Sequence, residues 1–229
     1  MAPVGRSVIF DLYNTLIDGA DGRRDRVVGE MAAILGIMPP DLVAAYRESW
    51  EDRLVRWTVE ETVQIIAGRL GVTPTAEQVE RAAALRRSLA DRLLGLVPAS
   101  ILAALDDLRA GGHRLALVSN ATSETAESWP HSPLAGRFDV AIFSSAVGLA
   151  KPDPAIYELA AARLGVAPSE CVFVGDGSDD ELAGAAAAGM TVFRTVEFRD
   201  TLPTWPGPVI DSLAELPGLL AEPSPAPTP

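Results

Sequence analysis

The stretch "VIFDLYNTLID", Val8 to Asp18, carries an apolar run that ends on Asp11, with Tyr13 two residues later and Thr15 four. A carboxylate at the end of a hydrophobic strand is a candidate nucleophile or metal ligand, and a cation is needed to bring an anionic substrate close to it. Three further groups follow in order. Ser119-Asn120 closes "HRLALVSN", Lys151 lies in "GLAKPDPAIY", and Asp176 opens "DGSDDELAGAAAAGM" with Asp179, Asp180 and Glu181 behind it. Each alone has an ordinary explanation, since aspartates form turns and acids cluster at helix N-termini. Together they describe one chemistry. Asp11 would attack, Lys151 and a metal would hold the substrate, and Ser119 would donate a hydrogen bond to an oxygen of the transferred group. Hard oxygen donors from Asp11 and Asp176 suit Mg²⁺.

Such groups need a rigid frame. Four short apolar runs, Ser7–Tyr13, His113–Asn120, Asp139–Ser145 and Cys171–Asp176, end at polar residues, and Met190–Val196 makes a fifth. Continuous apolar runs suit parallel strands buried on both faces. Between them, "PASILAALDDLRAGG" and "DPAIYELAAARLG" have proline near the start and glycine at the end, as helices do. "SDDELAGAAAAGM" opens with acids, which suits a helix N-terminus. The alternation predicts an α/β fold with a doubly wound parallel sheet, whose site lies at the carboxyl ends of the strands. Residues from about 17 to 94 lack strand runs and read as four helices, Arg24–Leu35, Asp41–Arg53, Val59–Leu70 and Ala76–Leu94. The expected organisation is therefore a catalytic core at 1–16 and 95–222, a helical cap at 17–94, and a disordered proline-rich tail at 223–229.

Composition narrows the partners. A formal charge of −12 disfavours capture of nucleic acid or an anionic membrane, yet leaves room for a small anionic substrate beside a bound cation. No apolar run approaches the ~20 residues of a membrane span, and no signal core is evident, so the expectation is a cytoplasmic monomer or homodimer. Cys171 is the single cysteine and reads as a structural thiol inside a strand. His113 and His131 lack a second histidine at ligand spacing. Tyr46, Trp50 and Trp57 read as packing residues of the helical block, some of which could line the pocket; Arg47 or Arg53 could meet an anionic substrate.

The four groups in this order resemble the motifs of the haloacid dehalogenase-like hydrolase superfamily, and the helical block resembles that family's cap, inserted after the first motif. The resemblance covers residues 7–196. It implies that Asp11 forms a covalent aspartyl intermediate and that Ser119 and Lys151 orient and neutralise the transferred group. It also implies that Mg²⁺ is held by Asp11, the Tyr13 backbone carbonyl and Asp176, with Asp180 acting directly or through water. Two departures stand out. Phosphatases of the family usually have aspartate where this chain has Tyr13, and glycine where it has Asn14; the 2-haloacid dehalogenases carry tyrosine in a similar Asp-x-Tyr-Gly-Thr motif. A phenol ionises near ~10 and is a poor base at neutral pH, whereas a departing halide needs no proton. The acidic fourth motif points the other way, because the dehalogenases work without metal. Three functions follow: a Mg²⁺-dependent phosphatase of a small phosphorylated metabolite, a metal-free 2-haloacid dehalogenase, or a catalytically weak binding or regulatory protein.

Overall fold

The structure, a computed structural model, describes residues 5–19 and 21–221; the expected tail at 223–229 lies outside them. Six strands form one sheet: β1 (Ser7–Phe10), β2 (Arg114–Ser119), β3 (Val140–Phe143), β4 (Cys171–Gly175), β5 (Thr191–Thr195) and β6 (Val209–Ile210). Every pairing is parallel and the order is β3-β2-β1-β4-β5-β6. The expected doubly wound α/β sheet is thus present. The two-residue β6 was not anticipated, because so short a run has no readable period.

Between β1 and β2 come α1 (Asp21–Leu35), α2 (Pro39–Glu48), α3 (Trp50–Val55), α4 (Val59–Arg69) and α5 (Ala76–Gly95). Thr58 with Glu61, and Thr75 with Gln78, form reciprocal capping boxes that fix the starts of α4 and α5. The single helix expected over Asp41–Arg53 is two. Ser49 leaves helical geometry (φ −88°, ψ 11°), and its hydroxyl donates to the Tyr46 carbonyl at 3.0 Å, a side-chain bond that competes with the backbone ladder.

The remaining helices are α6 (Ala99–Ala110), α7 (Ser123–Ser128), α8 (Ser144–Val147), α9 (Pro154–Leu164), α10 (Glu181–Ala187) and α11 (Leu216–Ala221). The run expected to stay extended to Ser145 turns helical at Ser144. There the Ser144 hydroxyl accepts from the Ala121 N–H at 3.0 Å, tying the end of β3 to the loop after β2. Successive strand residues point to opposite faces. Val8 and Phe10, with Leu117 and Val174, pack with α6, α11 and the α1–α5 block; Ile9, Val118 and Phe173 pack with α9 and α10. Burial of both faces explains the unbroken apolar strands. Among the described residues no single helix is long and apolar enough to cross a membrane.

Candidate active site

In an open parallel sheet, consecutive connections that leave one strand in opposite directions open a crevice at its carboxyl end. Here β1 lies between β2 and β4, so Asp11, Asn120 and Asp176 emerge around that point. Asp11 is buried. Thr15 Oγ1 donates to its Oδ2 at 3.1 Å and Lys151 Nζ to its Oδ1 at 2.5 Å. Lys151 Nζ also donates to Glu181 Oε2, so a single ammonium bridges two buried carboxylates.

Asn120 positions that lysine from behind. Its Oδ1 accepts from the Lys151 N–H at 2.8 Å, while its Nδ2 donates to the Lys151 carbonyl at 2.9 Å and to Asp179 Oδ2 at 3.2 Å. Asp176 is held by the Ser178 N–H at 3.1 Å and the Ser178 hydroxyl at 2.8 Å. Glu181 Oε1 accepts from the Gly177 N–H at 3.0 Å. A side chain at position 175 would put its Cβ 2.2 Å from that Oε1, and Gly177 sits at φ +100°, so both glycines are dictated by geometry.

Asp11, Asp176 and Glu181 can each offer an oxygen to a group whose atoms lie within 4.8 Å of one another. Asp180 is not part of this group: it is exposed, at φ 55°, just ahead of α10. Burial, then the neighbouring Asp176, pushes Asp11 above the usual carboxylate range against the pull of Lys151. Burial and Asp11 push Glu181 well above it. Burial disfavours the Lys151 ammonium, but Asp11 and Glu181 outweigh that and hold it above its ordinary value. One ammonium therefore serves two buried carboxylates with Asp176 close by, and the cost of ionising Asp11 and Glu181 is what a divalent cation relieves. The clustered hard oxygens fit Mg²⁺ chemistry.

The remaining expected residues are placed differently. Ser119 is fully buried at the end of β2, its Oγ has no hydrogen-bond partner among the described residues, and it does not line the crevice. The Tyr13 hydroxyl shares a hydrogen bond with Thr125 Oγ1 at 2.9 Å, and the Arg24 guanidinium lies 4.3 Å from the ring centre. Asn14 adopts φ 61° and its Oδ1 accepts from the Gly19 N–H at 3.0 Å, a turn role that asparagine fills as glycine does. Cys171 is buried, and its thiol is pushed up to about 11, mainly by burial, in keeping with a structural residue.

Above the carboxylates opens a cavity of about 500 Å³ that reaches from Asp11 and Lys151 to Tyr46, Trp50 and Arg53 of α2 and α3. Arg86 of α5 and Glu124 of α7, both lining it, form a buried ion pair, with Nη2 and Nε 2.6 and 3.0 Å from Oε1. Neither Glu181 nor this pair was singled out as functional from sequence. Glu181 was passed over among neighbouring acids, and only the first turn of α10 selects it. Arg86 and Glu124 are 38 residues apart and carry no local signature.

A family model described as haloacid dehalogenase-like hydrolase matches residues 6–189. (S)-2-haloacid dehalogenase 2 of Pseudomonas sp. (strain CBS-3) is 28% identical over 228 residues, covering 94% of this chain and 95% of that protein. Phosphoglycolate phosphatase of Salmonella choleraesuis is 30% identical over 205 residues, 81% of each chain. Among solved structures, the HAD phosphatase from Thermococcus onnurineus superposes with a TM-score of 0.68 at 23% identity, over 94% of this chain and 98% of that one.

Proposed function

Because the chain belongs to the haloacid dehalogenase-like hydrolase family, we propose that it is a Mg²⁺-dependent phosphatase acting on a small phosphorylated metabolite. The observation that carries this reading is the buried group Asp11, Asp176 and Glu181, of which Lys151 bridges the first and last. A haloacid's carboxylate would be repelled by such a cluster without a cation. Asp11, Asp176 and the Tyr13 backbone carbonyl would hold the ion, and Asp180, standing outside the group, would act only through water. Bound there, Mg²⁺ supplies charge neutralisation for the oxygens of the transferred phosphoryl group.

The chain's own residues do the rest. The Asp11 carboxylate attacks phosphorus and the ester oxygen leaves, taking its proton from solvent. Water then attacks phosphorus, releasing inorganic phosphate and restoring Asp11. Lys151 fixes the carboxylate and offers positive charge to the phosphoryl oxygens, and Asn120 and Thr15 hold those two groups in line. Ser119 would serve the transferred group only after turning toward the crevice. Helices α1–α5 act as the cap that shields the aspartyl-phosphate from bulk water.

Tyr13 favours a second reading, a 2-haloacid dehalogenase in which Asp11 displaces halide from carbon with no proton required, and a dehalogenase is among the relatives. One assay separates the two. Wild-type protein on a broad panel of phosphate esters is expected to release phosphate with strict dependence on Mg²⁺, and Asp11→Asn to release none. Silence of both wild type and Tyr13→Asp on that panel, or chloride release from short 2-haloacids in excess chelator, would overturn the phosphatase assignment.

A further inference from the structure

The cavity above Asp11 contains a buried cation that forms no ion pair among the described residues. Arg53, on α3, is 7% exposed, yet among the described residues no carboxylate lies within ion-pair distance of it. Its guanidinium donates only to uncharged oxygens: Nε to Ser49 Oγ at 3.1 Å and Nη2 to the Tyr46 carbonyl at 2.7 Å. Nη1 has no acceptor among the described residues. Aromatic faces flank it, with the Tyr46 and Trp50 ring centres each 5.2 Å away. A buried charge costs much unless it is paired.

A second orphan lies beside it. The Tyr46 hydroxyl is enclosed and has no hydrogen-bond partner among the described residues, although Tyr46 lines the same cavity. The nearby Arg86 cannot neutralise Arg53, because it is itself a cation and is paired with Glu124. Burial, and then the like charge of Arg86, pulls the Arg53 guanidinium down to about 10, with Glu124 offsetting only part of that cost.

We propose that Arg53, assisted by the Tyr46 hydroxyl, binds a carboxylate on the substrate remote from the reacting group, so that the substrate is a short phosphorylated carboxylic acid. One unneutralised guanidinium matches one carboxylate, which its planar fork can grip with two donors. A second phosphate would bring nearly two charges to the one Arg53 guanidinium. The inference rests on the phosphatase reading and sharpens it.

The test is calorimetric binding in Mg²⁺ buffer of 3-phosphonopropionate and of propylphosphonate, which has no carboxylate. Wild type is expected to prefer the carboxylate probe by about tenfold or more, as for a hydrogen bond to a charged group. Arg53→Gln should abolish the preference, Arg53→Lys should keep part of it, and Tyr46→Phe, which retains the ring, should reduce it several-fold. Circular dichroism identifies any variant that fails to fold, in which case Tyr46→Phe and Arg53→Lys carry the comparison. Equal affinities in wild type, or a preference untouched in the folded variants, overturn the inference and leave the phosphatase reading standing. A preference that disappears on substitution, with no phosphate released from any ester, overturns the phosphatase reading alone. Failure of both probes to bind overturns both.

Discussion

At the scale of single residues, the chemistry turns on Tyr13. It stands where a phosphatase of this family carries a general acid-base aspartate, and its hydroxyl is occupied with Thr125. Nothing at that position can protonate a leaving alkoxide as a carboxylic acid would. We therefore expect wild-type phosphate release to be slow and to favour esters with acidic leaving groups. Tyr13→Asp should raise kcat on alkyl phosphates by on the order of 10², the low end of what a positioned proton donor contributes. An unchanged rate on alkyl esters, alongside an unchanged rate on aryl esters, would show that proton transfer does not limit the reaction. Asp11 and Asp176 were legible in sequence because each directly follows an apolar strand, and Lys151 because it lies in the turn just ahead of the Asp153 cap of α9. Glu181 was not, since four acids within six residues look alike until the turn after Gly177 aims one of them at Lys151.

At the scale of elements, the same distinction holds. The starts of α4, α5 and α9 are local events: capping boxes in the first two, and in α9 Asp153 accepting from the Ala155 N–H at 2.9 Å. Such starts can be read from a few adjacent residues. The break at Ser49 could not be, because a serine inside a helical pattern does not announce that its hydroxyl will bond the Tyr46 carbonyl. Contact between the α1–α5 block and α7 was also hidden, and it includes the buried Arg86–Glu124 pair. Glu124 is held below its usual range because Arg86 and hydrogen bonds outweigh the cost of burial, and the cost of burying Arg86 is likewise outweighed by Glu124. A depressed carboxylate stabilises the fold above its unfolded value and ceases to do so as pH falls through the folded one. Glu124→Gln leaves Arg86 buried and unpaired, and urea denaturation should show a loss of about 3–5 kcal/mol. The double variant Arg86→Met, Glu124→Met should recover most of it. A loss below ~1 kcal/mol in Glu124→Gln would mean that the pair is solvated like a surface bridge.

At the scale of the whole molecule, the order of the four chemical groups along the chain could be read, but their convergence could not. Asp11 and Lys151 are 140 residues apart, and only the placement of β1 between β2 and β4 brings them together. The result is a protein of net charge −12 that buries three carboxylates together, two of them bridged by one ammonium. Asp11 and Glu181 are both raised in the folded state, so between the ordinary carboxylate range near ~4 and their raised values the native protein holds more protons than the unfolded chain. In chelator, stability should accordingly fall as pH rises out of that range, and Glu181→Gln should flatten the fall. A cation bound to the ionised cluster reverses the trend. At a hundredfold excess over its Kd, Mg²⁺ adds about 2.7 kcal/mol, equivalent to a rise in Tm of about 5–10 °C for a chain of this size. That rise should be larger at pH 8 than at pH 5, because protons compete for the same oxygens, and it should vanish in Asp176→Asn. A Mg²⁺ shift of equal size at both pH values, or one that survives Asp176→Asn, would place the ion on the acidic surface and remove the carboxylate group as the seat of metal chemistry.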